Sequence, residues 1–299
     1  MASQRTDMPD NVIPLPYSGP LDWLNLLQFF RSHRLLATES IGEASYGRVF
    51  RLGDELGSFT ITHHDREQQL LLTVHGIAPR QFPVVAARVR GMFDLDADML
   101  AVRDAFANTA FFTALWQDRP GLRLASGWNP FETAINTILG QLVSVSRANG
   151  LTQQLVLQVG ERVTHPVSGD DAWLFPSPQV LAEADLSGLG TTGMRKKTIL
   201  AFSREVAAGR LDLATADRAR LRQQLLALPG LGPWSVEYIA LRALGDRDAF
   251  PGTDLVLKRA LEKYPELDLD SVKPWRAYAA VYLWRHYLTE VAAEKAGQQ

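Results

Sequence analysis

Apolar residues recur at helical spacing from Asp22 to Arg31, where Trp23, Leu24, Leu26, Leu27 and Phe30 form a stripe. At Tyr46 the period drops to two. Tyr46, Arg48, Phe50 and Leu52 alternate with their neighbours, the turn Gly53-Asp54-Glu55-Leu56-Gly57 follows, and Phe59, Ile61 and His63 alternate again. Beyond the charged turn Asp65-Arg66-Glu67 a third run covers Leu70 to Val74. Three such runs joined by short turns predict an antiparallel meander. Pro83 to Met92 returns to a helical pattern. Residues 1–94 thus read as an α+β domain.

From Asp96 onward no strand pattern stands out, so residues 95–299 read as helical and the fold class as α+β, mainly α. Asp98 to Trp116 is helical. Asn129-Pro130-Phe131-Glu132 is a helix start, with Asn129 as N-cap, Pro130 at the first helical position and Glu132 reaching back. That helix is expected to run to Ser146, and the next to Val159. Residues 164–177 read as a loop, Pro178 to Ala184 as a short helix, Thr192 to Ala208 and Pro274 to Ala293 as longer ones. Asp246 to Pro251 interrupts the helical pattern. It divides the region into two layers, 130–246 and 95–129 with 247–299, and a cleft between helical layers is a natural site.

The most informative stretch begins at Leu228-Pro229-Gly230-Leu231-Gly232. Pro229 stops one helix, Gly230 permits a positive φ, and Pro233 suits the first turn of the next. Helix, glycine hairpin, helix follows. The second helix opens with N–H groups that have no intrahelical acceptor, and these suit a phosphate. Downstream lies Pro251-Gly252-Thr253-Asp254. Thr253 reads as the N-cap of the helix that follows, which puts Asp254 in its first turn. Asp254 is then either a helix-terminal acid or an anion held for chemistry.

Composition narrows the choices. With 46% hydrophobic residues the chain can form a core, and no apolar run approaches a membrane span. The stretch from Met1 to Pro14 lacks the apolar centre of an export signal, which sets an expectation of a cytoplasmic protein. The absence of cysteine excludes disulfides, iron–sulfur clusters and cysteine zinc sites. His63, His64 and His75 lie in the strand region with no cysteine in the chain to join them, so no metal is assigned. The net charge of −2 is a weak guide, because nucleic-acid binding depends on a local basic face. Arg195-Lys196-Lys197 is either such a contact or a solvated helix face.

The hairpin with its Pro-Gly loop and Asp resembles the helix-hairpin-helix DNA glycosylase superfamily. Three further stretches, Arg119-Pro120-Gly121-Leu122-Arg123-Leu124, Ile138-Leu139-Gly140-Gln141-Leu142-Val143-Ser144-Val145 and Lys273-Pro274-Trp275-Arg276-Ala277-Tyr278, are similar to the 3-methyladenine DNA glycosylase II family, the bacterial AlkA type. The resemblance runs from Asp22 to Glu290. It implies a TATA-binding-protein-like N-terminal domain followed by a two-layer helical glycosylase core. It implies excision of alkylated bases from double-stranded DNA by a monomeric enzyme without a cofactor, beyond a monovalent cation held by hairpin carbonyls.

The same resemblance assigns roles. Asp254 becomes the catalytic carboxylate, a fixed anion, Gly230 and Gly232 the phosphate anchor, Leu142 the wedge that fills the vacated stack, and Gln141 its neighbour at the orphaned base. Trp234, Tyr238 and Trp284 become the base pocket, with Phe29 at its rim. Read without it, Leu142 lies among core-like residues, and a Trp and Tyr at i and i+4 share a helix face that is as easily core. Chemistry favours the pocket reading, because N3- or N7-alkylated bases are cationic and aromatic faces attract cations by about 0.5–2 kcal/mol. Such bases also leave without a general acid. Family members that cut the strand carry a nucleophilic Lys where this chain has Trp234, so a monofunctional enzyme is expected. Thr253 and Leu255 depart from family members that carry an acid before the catalytic Asp and a Tyr after it. Two other readings are a glycosylase for deaminated or oxidised bases and a non-catalytic DNA-binding protein.

Overall fold

A computed structural model describes residues 9–296. Its N-terminal part is a five-stranded antiparallel sheet in the order β1-β5-β4-β3-β2. The strands are β1 (Val12–Pro16), β2 (Glu39–Ile41), β3 (Ser45–Leu52), β4 (Glu55–His64) and β5 (Gln69–His75). The central three are the expected meander. The edge strands β1 and β2 extend it. β1 carries Pro14 and Pro16, which an edge strand tolerates because one row of its N–H groups has no ladder partner. Helices α1 (Trp23–Ser32) and α2 (Phe82–Met92) cover one face and bury Trp23, Leu26, Leu27, Phe30, Val85 and Val89 against Tyr46, Phe59, Ile61 and Leu72. Trp128, far along the chain, joins this core against Phe50 and Phe59.

The rest is mainly helical: α3 (Met99–Phe106), α4 (Ala110–Asp118), α5 (Pro130–Gly140), α6 (Val145–Val159), α7 (Pro178–Ala182), α8 (Gly193–Ala207), α9 (Arg218–Leu226), α10 (Pro233–Arg242), α11 (Leu255–Lys263) and α12 (Arg276–Ala296). It has two cores. One gathers α5, α6, α8, α9 and the buried side of α10 around Ile135, Leu155, Phe202, Leu225 and Ile239. The other gathers α3, α4, α11 and α12 around Val102, Phe106, Phe112, Leu257 and Tyr282. The expectation that no strand follows Asp96 is corrected by a hairpin of β6 (Glu161–Thr164) and β7 (Asp171–Leu174), closed by the positive-φ Gly169. Its four-residue strands are too short for alternation to show. The single helical run expected from Asp98 is two helices, each with its own cap, Asp98 and Thr109.

Two buried arginines join these parts. Arg123, 1% exposed, donates to the carbonyls of Pro20 (3.2 Å), Asp94 (2.7 Å) and Ser18 (2.5 Å), which fixes the chain entering and leaving the N-terminal domain. Arg48 on β3 pairs with Glu39 and with Glu132 at the start of α5. This corrects the expected capping box. Asn129 does cap α5, accepting from the Phe131 N–H at 2.9 Å, but Glu132 turns to the Arg48 guanidinium. An unpaired buried arginine costs more than a second cap returns.

Candidate active site

Gly230 sits at φ +84, the left-handed conformation that the turn between α9 and α10 demands. Gly232 is the N-cap of α10 and supplies no side chain. The opening N–H groups of α10 are therefore uncapped by any side chain, as an anion site requires. On the inner side the hairpin is tied down, since Thr198 donates to the Pro229 carbonyl (2.8 Å) and the Gln141 amide to the Gly230 carbonyl (2.9 Å).

Gln141 also donates to Ser235 Oγ at 2.8 Å, and its own carbonyl accepts from the Arg195 guanidinium. Helix α5 stops at Gly140, six residues before the expected end at Ser146. The next residues form a loop in which Leu142 takes φ +55. Its side chain is fully exposed, 101% of the reference area. An aliphatic residue in left-handed backbone, standing clear of every neighbour, has no packing role.

Asp254 itself is the N-cap of α11, which corrects the assignment of that role to Thr253. Its Oδ1 accepts from the N–H groups of Val256 (3.0 Å) and Leu257 (3.1 Å) and from Trp284 Nε1 (2.9 Å). Its Oδ2 accepts from Trp234 Nε1 at 3.0 Å. Two main-chain donors, the positive end of a helix and two indoles thus converge on one carboxylate. Trp234 stacks on Tyr238 with centroids 5.1 Å apart and planes at 24°, and Tyr238 meets Trp284 edge-on at 5.9 Å. The loop leading to Asp254 is pinned by Arg222, which pairs with Glu237 (2.7 Å) and Asp246 (2.8 Å), and by Arg276 on Asp248 (2.7 Å). Thr253 and Leu255 beside Asp254 are exposed. The structure brings Trp234, Tyr238, Trp284 and Asp254 together. It ties Gln141 to the hairpin through Gly230 and Ser235, and leaves Leu142 exposed on the loop beside it.

Phe29 comes from α1, and its ring is joined to the aromatic group through a residue that sequence reasoning passed over. The guanidinium of Arg242 lies 4.4 Å from the Phe29 centroid and 5.5 Å from that of Trp284. Arg242 closes α10, four residues after Tyr238 and eight after Trp234, so helical spacing was the available signal. His33 stacks on the other partner, Phe29, at 4.3 Å. Burial and the nearby Arg242 lower its pKa to about 4.

The histidine pKa carries a prediction. The folded state binds this proton less well than the unfolded chain, so stability is full above the unfolded pKa of about 6.5 and falls as pH drops from there to about 4. At pH 5 this site should cost about 1–2 kcal/mol relative to pH 7.5, and His33→Gln should lack that loss. Denaturant midpoints of both proteins at the two pH values check it. Equal losses would assign the acid sensitivity to other groups.

His63, by contrast, is occupied by Tyr17 OH at 2.7 Å and packs on Trp23. Among the described residues no three His, Cys, Asp or Glu side chains gather as a metal site. Nor is any helix of these residues long and apolar enough to cross a membrane.

Fold and site together define a helix-hairpin-helix protein with an acid set among aromatics between two helical layers. Residues 12–129 match the family model of the AlkA N-terminal domain. The chain is 34% identical over 279 residues to a probable bifunctional transcriptional activator/DNA repair enzyme AlkA of Mycobacterium tuberculosis, covering 90% of this chain and 56% of that protein. It thus spans little more than half of that relative. It is 28% identical to DNA-3-methyladenine glycosylase 2 of Escherichia coli, covering 90% of this chain and 95% of that one. The 3-methyladenine DNA glycosylase of Archaeoglobus fulgidus shares the fold, with a TM-score of 0.79 at 18% identity over 92% of this chain and 98% of its own. The N-terminal part of the chain thus carries the AlkA N-terminal domain, and the chain as a whole is similar to AlkA-type proteins.

Proposed function

We propose that this chain is a monofunctional DNA glycosylase that turns alkylated bases, such as 3-methyladenine and 7-methylguanine, out of double-stranded DNA and releases them by hydrolysis. The observation that carries this reading is the Asp254 carboxylate, held by four donors at the edge of the Trp234–Tyr238–Trp284 group. The named relatives above agree with it.

Enzymes of this kind extrude the target nucleotide to reach the bond they cut. The hairpin N–H groups take a phosphate, Leu142 fills the gap left in the stack, and the base enters among the aromatics. As the glycosidic bond lengthens, its electron pair passes to the base and C1′ becomes cationic. The Asp254 anion stabilises that charge and accepts the proton of the attacking water. With an indole at position 234 there is no amine to form a Schiff base, so the product is an abasic site in an intact strand. A monovalent cation at the hairpin would have to use second lone pairs, because the carbonyls of Leu228, Pro229 and Gly230 already accept hydrogen bonds. The protein acts as a cytoplasmic monomer on this reading.

The test is incubation with methylated duplex DNA and analysis of the released bases. Free 3-methyladenine and 7-methylguanine should appear, with strand breaks only after alkali. Release of no base, with duplex still bound, would leave a DNA-binding protein.

A further inference from the structure

Arg242 is 7% exposed and pairs with no carboxylate among the described residues. Its Nη1 donates to the Ala125 carbonyl at 2.9 Å. Its Nε is fully buried and has no hydrogen-bond partner among those residues. The guanidinium lies over Phe29 and Trp284 and beside Tyr238, three of the aromatics in the pocket reading. His33, the titratable group behind Phe29, is neutral near pH 7 and adds no charge. Burial lowers the pKa of Arg242 itself, but a guanidinium stays protonated in proteins. A buried cation without a counter-ion is costly, and methionine would fill the same space without that cost.

We propose that Arg242 is the base-side charge of the reaction: it draws the glycosidic electron pair onto the departing base while Asp254 steadies the sugar. This rests on the glycosylase reading above. Trp284 touches both charges, with its indole N–H on Asp254 and its ring under Arg242. In the step, the C1′–N bond breaks and its electron pair stays on the base. The water oxygen bonds to C1′, and the water proton passes to Asp254 and then to solvent. The charge of the base falls by one. A cationic base leaves neutral, and a neutral base leaves as an anion that takes a proton from solvent. A fixed positive charge beside the base favours both changes.

Binding separates the two substrate classes. A cationic base meets a like charge, and Arg242 already lies over the faces of Phe29 and Trp284 that would attract it. A neutral base meets no such opposition. The charge thus weakens binding of cationic bases but speeds their departure, and the two effects offset. For neutral bases it only helps. Arg242 therefore extends the lesion range toward neutral bases.

The experiment is single-turnover excision of hypoxanthine and of 7-methylguanine from matched duplexes, across a protein titration that separates half-saturation from saturated rate. In Arg242→Met the saturated rate divided by half-saturation should fall at least about tenfold for hypoxanthine, the lower range for one electrostatic element. For 7-methylguanine the saturated rate should fall while half-saturation tightens, leaving the quotient nearly unchanged. Arg242→Lys keeps the charge and should keep most hypoxanthine excision. If Arg242→Met does not fold, Arg242→Gln gives the same comparison. Parallel losses on both bases in a folded neutral variant, or loss in Arg242→Lys as large as in Arg242→Met, would overturn the proposal. Wild-type protein that releases neither base would overturn the glycosylase reading itself.

Discussion

Asp254→Asn should lower base excision at least about a hundredfold, the scale set by removing one electrostatic element from an active site, while duplex binding persists. The carboxylate's partners show what else the change does. Oδ1 serves three donors, and an asparagine carbonyl can still serve them. Oδ2 serves Trp234 Nε1, and an amide nitrogen there would set one N–H against another. Asparagine remains a good N-cap, so α11 should stay intact. The lost indole contact should cost about 1 kcal/mol of stability, small beside the loss of rate. Single-turnover excision together with thermal denaturation separates the two effects. Excision within tenfold of wild type would move the charge that drives the reaction away from Asp254.

Gly232→Val should weaken binding to damaged and undamaged duplex alike by about tenfold or more, a loss of about 1.4 kcal/mol or greater, without disturbing the fold. Gly232 has φ −100, which valine adopts, and a Cβ there meets nothing within 4 Å. The added methyl groups project where a phosphate would approach. Gly230 behaves differently. It needs φ +84, and a Cβ would lie 2.1 Å from Thr198 Oγ1, so Gly230→Val should damage the turn itself. The pair separates anchoring from folding. Fluorescence anisotropy on an undamaged duplex in moderate salt reads the first, and the melting temperature reads the second. Normal affinity in a folded Gly232→Val would leave the hairpin without a role as anchor.

What could be read from sequence was local. A Pro-Gly turn, an Asn-Pro helix start and an Asp at the head of a helix each declare themselves within a few residues. What could not be read depends on distant partners. Glu132 fits a capping box until Arg48, 84 residues away, takes it. Helix α5 looked longer because Leu142 and Val145 continue an apolar pattern, and only coordinates show that the backbone turns over between them. Edge strand β1 was hidden by its prolines, and β6 and β7 by their length. Arg242 looked like an ordinary end to a helix, because its meaning comes from Phe29 on another domain.

The two hydrogen bonds that the Gln141 amide donates, to the hairpin carbonyl of Gly230 and to Ser235, bear on how lesions would be found. They tie the loop of Leu142 to the hairpin. On the proposed reading the hairpin cannot grip a phosphate without bringing Leu142 against the neighbouring base step. Grip and probe become one stroke, repeated at each register as the protein moves along DNA. A well-stacked step resists the push and the protein moves on. A step weakened by damage yields to it. The first discrimination is then mechanical, made at the stack before any base has entered the pocket.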